Sequence, residues 1–325
     1  MPPLVEVVDL RKQFVLSGNR WGEKLTVDAV SGVSLTIFQG ETLGLVGETG
    51  CGKSTLARCI LRLVEPTGGR VLFEGKDILS LSLRDFHPYR RCMQMVFQDP
   101  FASLNPRKTV FAILEEPLII HGERNPKIRK EKVEAIAERV GLDVRLLRNY
   151  PHEFSGGQRQ RIGIARALIL EPEFVVCDEP VSALDVSIRA QILNLLCDLQ
   201  ENLRLSYLFI AHDLSVVRYI SHRVAVMYLG KIVEIAPCEE LFANPLHPYT
   251  RALLAALPVP DPSRPRKRML LEGDPPSPLR PPSGCRFHTR CPERMDICAV
   301  YSPGASFLNP EHVVFCHLYG GWEMV

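Results

Sequence analysis

The nine residues Gly47–Thr55, GETGCGKST, fit the pattern G-x-x-x-x-G-K-[S/T] in full. Gly47, Gly50 and Gly52 let backbone N–H groups turn inward onto phosphate oxygens, with Glu48, Thr49 and Cys51 completing the loop between them. Lys53 brings positive charge to the β- and γ-phosphates. Ser54, followed by Thr55, offers a hydroxyl to Mg²⁺. A helix opening near Lys53 adds its positive dipole end, so the chemistry on offer is the binding of ATP with Mg²⁺. Cys51 reads as a small filler of the loop, not as a nucleophile.

A second stretch, FVVCDEP, runs an apolar strand into two carboxylates. Asp178 is placed to hold Mg²⁺, directly or through water. Glu179 can orient and deprotonate an attacking water, a role worth roughly 10²–10⁴ in rate. In a third stretch, FSGGQRQRIGIARAL, Ser155 can cap a helix whose first turn, Gly156-Gly157-Gln158, leaves N–H groups to receive an anion.

The elements that must carry these residues are those of an α/β domain. ETLGLVG, EFVVCDEP and SYLFIAHD each read as a short buried strand with polar residues at its carboxyl end, where open α/β sheets place ligands. STLARCILRLV reads as the helix after the loop. In KIRKEKVEAIAERVGL the spacing of Val133, Ile136, Ala137 and Val140 predicts an amphipathic helix ending near Gly141. It belongs to a mostly helical insertion expected over about 99–160.

The chain has 325 residues, 46% hydrophobic and 23% charged, as in soluble globular proteins. Its formal net charge of +2 argues against a nucleic-acid partner bound through a broad basic surface. No apolar run approaches the roughly 18 residues of a membrane span. MPPLVEVVDL lacks the pattern of a signal peptide, so the expected compartment is the cytoplasm, where structural disulfides are rare.

FSGGQRQRIGIARAL is also where a resemblance becomes specific: the chain resembles the ATP-binding subunits of ABC transporters over about residues 4–257. The phosphate loop, Gln98 in VFQDP, the Ser155 stretch, Asp178-Glu179 with Asp185 in SALD, and His212 in IAHD follow one another in that family's order. The resemblance implies an ABC-type P-loop nucleotide-binding domain with a helical subdomain. It also implies that Gln98 reaches the Mg²⁺ and the attacking water, and that Glu179 and His212 take part in hydrolysis. ATP would lie between Lys53 of one subunit and Ser155–Gln158 of a second, in a head-to-tail dimer. Adenine would stack on an aromatic residue, Phe14 in LRKQF, or Trp21 close by.

Finer features, RRCMQMVFQDPFASLNPR and FANPLHPYTRALLAALP, are similar to the oligopeptide/dipeptide importers and within them to the F-type subunit. That implies a D-type paralogous ATPase as dimer partner, two transmembrane permease subunits, and an extracytoplasmic substrate-binding protein that selects the cargo. The chain would then lie peripherally on the cytoplasmic face of the inner membrane. Nickel and glutathione importers belong to the same branch. A soluble ABC ATPase of iron–sulfur assembly is the other alternative, and FANPLHPYTRALLAALP has no place in it. DNA-repair members insert long coiled coils between the loop and the Ser155 stretch, whereas only about 100 residues separate them here.

Beyond the ATPase domain, 1–257, nine of the 27 residues Pro258–Gly284 are proline, which predicts a linker or extended strap. It carries a short basic run, RPRKR. The extension 285–325 then reads Cys285-x5-Cys291-x6-Cys298-x17-Cys316. That spacing matches neither the C-x₂₋₄-C pairs of zinc sites nor ferredoxin patterns, so it identifies no metal by itself. Free thiols, zinc and a [4Fe–4S] cluster all stay open. The importer branch carries such a cluster in some members, and the resemblance therefore favours [4Fe–4S] on these four cysteines. A metal would there substitute for a core that so short a tail is not expected to build. Cys59, Cys92, Cys177, Cys197 and Cys238 read as buried fillers.

Overall fold

A computed structural model of the chain describes residues 2–16, 25–257 and 274–320. The chain forms two compact units, one of Met1–Leu4, Ile37–Glu41 and Ser80–Ile210, the other of Val5–Thr36, Thr42–Leu79 and Ala211–Val325.

The first unit is built on three parallel strands, Met93–Val96, Phe174–Asp178 and Ser206–Ile210, with Met95 opposite Val176 and Val176 opposite Leu208. Every residue of the last two strands is buried. That accounts for their unbroken apolar composition, since parallel sheets are covered on both faces. Helices Val110–Ile120, Pro126–Arg139 and Gly156–Leu168 pack on one another. The middle one starts where Asn125 caps the Lys127 N–H and Pro126 takes the first helical position. Val133, Ile136 and Ala137 are its buried stripe, as their spacing predicts.

In the second unit a run of five strands lies in the order Ser306–Asn309, His312–Val314, Lys231–Pro237, Arg223–Tyr228, Thr42–Val46. Thr42–Val46 pairs in parallel with Arg223–Tyr228, Val46 opposite Val226, while the other pairings are antiparallel. A second sheet takes Leu25–Phe38, Pro3–Leu16, Gly68–Phe73 and Lys76–Asp77 in that order.

Three expectations change here. The helix after the phosphate loop stops at Ile60, short of the predicted LRLV. Arg62 turns into the left-handed region at φ 50°, and the N–H groups of Leu63 and Val64 both close onto the Arg58 carbonyl. Cys92 and Cys197 are half-buried, whereas Cys59, Cys177 and Cys238 are buried as expected. The cysteine-bearing tail does build a core: Phe287 and Val314 are fully buried, and Val314 and Cys316 pack with Leu246. Phe287 meets Tyr228, Tyr249 and His247 with ring centroids 5.2, 5.4 and 5.6 Å away. Aromatic rings at such separations add to what their burial contributes. Of the proline-rich stretch, 274–284 contains neither helix nor strand. RPRKR and Trp21 lie outside the described residues.

Candidate functional site

The second unit carries the phosphate loop. Strand Thr42–Val46, buried throughout, delivers Gly47, and helix Lys53–Ile60 leaves from the other end. Gly52 has φ 108°, and a Cβ there would meet the Ala29 carbonyl oxygen at 2.1 Å, so only glycine fits the last turn. Lys53 is buried, and its ammonium donates to the carbonyls of Gly47 at 2.7 Å and Glu48 at 3.1 Å. Its charge is thereby held inside the curve of the loop. Burial pushes the Cys51 thiol up despite the pull of Lys53, which agrees with a filler and not with a nucleophile. Thr49 and Gly50 are exposed, Ser54 and Thr55 half-buried.

Glu48 is held from two sides. Its N–H donates to the Tyr249 hydroxyl at 2.9 Å. Its two carboxylate oxygens each accept from Nη1 of Arg290 at 3.0 Å. The same nitrogen lies 3.4 Å from the Tyr228 hydroxyl. Tyr249 stands at the second position of helix Pro248–Ala255, which His247 caps by accepting the Tyr249 N–H at 3.1 Å. Burial holds the His247 imidazole down at about 3, so it stays a neutral acceptor. Phe14 is 38% exposed with the Lys12 ammonium 4.9 Å from its ring centroid, and His212 is exposed.

The first unit carries the carboxylates. Asp178 is buried at the end of its strand. Glu179 follows with φ 46°, a conformation that costs a non-glycine residue on the order of 1–3 kcal/mol. Its N–H is tied to the Ile210 carbonyl at 3.0 Å, and its own carbonyl accepts from the Ser182 hydroxyl at 3.0 Å. Gln98 Nε2 donates to Glu179 Oε2 at 2.9 Å, so two of the three predicted catalytic residues are in direct contact.

Ser155 caps helix Gly156–Leu168 reciprocally with Gln158: the Ser155 N–H donates to Gln158 Oε1 at 2.9 Å, and the Gln158 N–H to Ser155 Oγ at 3.4 Å. The Gln158 N–H is thus already engaged, in contrast to the expectation that this whole first turn is open to an anion. Asp185 caps the neighbouring helix Val186–Leu203 through the Ile188 N–H at 2.9 Å. A Cβ on Gly157 would come within 2.5 Å of Ile188, so the glycine lets these two helix starts meet.

The tail cysteines are all free thiols. Burial raises Cys316 to about 12 and Cys291 to about 11. Neighbouring tail thiols, where ionised, push Cys316 and Cys291 the same way. Among the described residues, however, no three His, Cys, Asp or Glu side chains are arranged to hold a metal ion. The expectation of a [4Fe–4S] cluster on Cys285, Cys291, Cys298 and Cys316 therefore finds no support in this geometry.

Arg290 and Tyr249 were not among the residues picked from the sequence. Tyr249 lies in the quoted FANPLHPYTRALLAALP stretch, but nothing in residue spacing ties either residue to Glu48.

Residues 30–182 match the ABC transporter family, and residues 233–298 match the C-terminal region of the oligopeptide/dipeptide transporter family. Among solved structures, CbiO1 from Clostridium perfringens, part of an ABC transporter complex, superposes with a TM-score of 0.64 at 27% identity. That match covers 75% of this chain and 92% of CbiO1. The dimeric ATP-binding cassette MJ0796 bound to ADP and Pi gives a TM-score of 0.64 at 28% identity, over 72% of this chain and 98% of that one. Phosphate loop, carboxylate pair and glycine-led capped helix define an ABC-type nucleotide-binding cassette. The oligopeptide transport ATP-binding protein AppF of Bacillus subtilis is 54% identical over 97% of both chains. OppF of Salmonella typhimurium, another oligopeptide transport ATP-binding protein, is 53% identical over 92% of both. The chain belongs to this family of oligopeptide-transport ATP-binding proteins. No helix among the described residues is long and apolar enough to cross a membrane.

Proposed function

We propose that this chain hydrolyses ATP to power the import of peptides through a membrane transporter, acting as one half of a head-to-tail ATPase dimer on the cytoplasmic face of the inner membrane. The observation that carries this reading is the 54% identity to an oligopeptide transport ATP-binding protein over 97% of the chain. The two ATPases expected to form the dimer are this chain and a D-type paralogue, docked on two permease subunits supplied with cargo by an extracytoplasmic binding protein. Nickel or glutathione as cargo has no such observation behind it.

In this reading the backbone of Gly47–Gly52 cradles the phosphates while Lys53 neutralises them. Ser54, Asp178 and Gln98 would hold Mg²⁺, which when bound draws negative charge off the β- and γ-phosphate oxygens. Gln98 holds the Glu179 carboxylate in place through its 2.9 Å hydrogen bond, and Glu179 takes a proton from the attacking water. His212 would assist at the γ-phosphate, and Phe14 would stack on adenine. Ser155, Gly156, Gly157 and Gln158 serve the ATP of the partner subunit, next to Asp185. In domain terms, 1–257 is the ATPase with its helical subdomain at about 99–160, 258–284 the linker and 285–325 the extension.

The test is ATP-dependent uptake of a labelled peptide by the complex in proteoliposomes. Uptake that depends on this chain supports the reading. Uptake of nickel or glutathione alone replaces the cargo. The [4Fe–4S] reading of the tail rests on resemblance and on four thiols being the donor set such a cluster takes. About four iron and four sulfide per chain after anaerobic purification would establish it, and their absence would remove it.

A further inference from the structure

A phosphate loop that must receive a polyanion contains, one residue after its first glycine, the acid Glu48. Left unpaired, that carboxylate would repel the nucleotide phosphates. Here both of its oxygens are bound by a single nitrogen of Arg290, 242 residues further on in the cysteine-bearing tail. The pair is sheltered: the Arg290 side chain is 8% exposed and that of Glu48 is 25% exposed. Opposite charges in such a setting are screened much less than on an open surface.

Arg290 itself is set in place by the fold. Its N–H donates to the Phe287 carbonyl at 3.0 Å, and the Phe287 ring is buried against Tyr228 and Tyr249. Arg286, on the other flank of Phe287, donates to the Leu229 carbonyl and to the Ser31 hydroxyl. Tyr249, from the same aromatic cluster, accepts the Glu48 N–H. The loop residue is therefore fixed at backbone and side chain by groups that all converge on the tail.

We propose that Arg290 is a positioning residue for ATP binding, which neutralises Glu48 and fixes the first turn of the phosphate loop, so that the loop binds nucleotide more tightly with the tail docked. This deepens the ATP-binding reading of the same loop. An uncompensated charge beside a polyphosphate weakens its binding by roughly fivefold at about 4 Å even in bulk water, and by more at the lower effective dielectric of a protein surface.

The experiment is a double-mutant cycle on the full-length chain in its assembled transporter, reading the Kd of a fluorescent ATP analogue in wild type, Arg290→Gln, Glu48→Gln and the double variant. Arg290→Gln should weaken binding by about tenfold in the wild-type background and by less than about twofold where Glu48 is already Gln. Equal losses in both backgrounds would mean that Arg290 acts through tail packing, and would overturn the proposal. So would the absence of any loss in the wild-type background. Arg290→Lys guards against a folding failure: with the charge kept but the guanidinium geometry lost, binding should fall less than in Arg290→Gln, and a loss as large as that of Arg290→Gln overturns the proposal. Lys53→Ala is the control for the reading beneath: if it binds the analogue as wild type does, the loop is not the ATP site, and Arg290 is not the point at fault.

Discussion

The phosphate loop and the Gln98–Glu179 pair are held by opposite means. In the loop, Lys53 is buried and closed onto carbonyls of the loop itself, and Glu48 is clamped by Tyr249 and Arg290. Around Glu179, an exposed Gln98 donates a hydrogen bond to the carboxylate, and the backbone beneath it sits at φ 46°. A binding element gains from being shaped before its ligand arrives, because no ordering cost is then left to meet. A carboxylate reached by an exposed side chain and carried on a strained residue is less firmly fixed than the loop, as a base that must meet water and phosphate would need to be. The contrast is thus between a loop held by buried contacts and a carboxylate met by an exposed side chain.

The comparison breaks most sharply at Glu179. Glu179→Gln should cut single-turnover ATP hydrolysis by about 10²–10⁴ while ATP still binds, provided the partner's own site is silenced. Unchanged hydrolysis would remove Glu179 as the base. Lys53→Ala should instead lower ATP affinity itself and abolish uptake, measured by nucleotide binding and transport together. Gln98→Ala, which takes away the 2.9 Å hydrogen bond to the carboxylate, should lower turnover by about tenfold with ATP affinity nearly kept. A loss of affinity as large as the loss of rate would place Gln98 with the cradle.

The smallest effect concerns the cradle's support. His247 has a folded-state value near 3 against an ordinary 6.5, so it contributes stability present above pH 6.5 and lost as pH falls towards 3. His247→Asn keeps a capping oxygen for the Tyr249 N–H but does not titrate. Urea unfolding between pH 7 and 5 should show a shallower acid loss for that variant, and an unchanged slope would mean that other groups dominate.

Much of this is legible in the amino-acid sequence. Thr42–Val46, Phe174–Asp178 and Ser206–Ile210 stand out as short apolar runs because they are covered on both faces, and their polar ends mark the site. Asn125 and Pro126 announce their helix by local capping chemistry, and the loop glycines announce a turn. These are signals within a few residues of one another. The Arg290–Glu48 pair is a contact between single residues at opposite ends of the chain, and no periodicity encodes it. The tail misled for a related reason. Its prolines and cysteines suggested a segment without a core, because the partners of Phe287 and Val314, such as Tyr228, Tyr249 and Leu246, come from elsewhere in the sequence. Composition reports what a segment contains, not what is brought to it.

Strand His312–Val314 has one more consequence. It lies along Lys231–Pro237, with Val314 opposite Glu234, and His312 Nε2 sits 2.9 Å from the buried Glu234 carboxylate. Trimming the chain back to its nucleotide-binding portion would leave a row of backbone donors and acceptors bare along that strand, beside a carboxylate stripped of its imidazole. An open sheet edge of this kind recruits strands from other molecules. A version shortened in this way is therefore expected to aggregate more readily than the full chain, which light scattering of the two would measure.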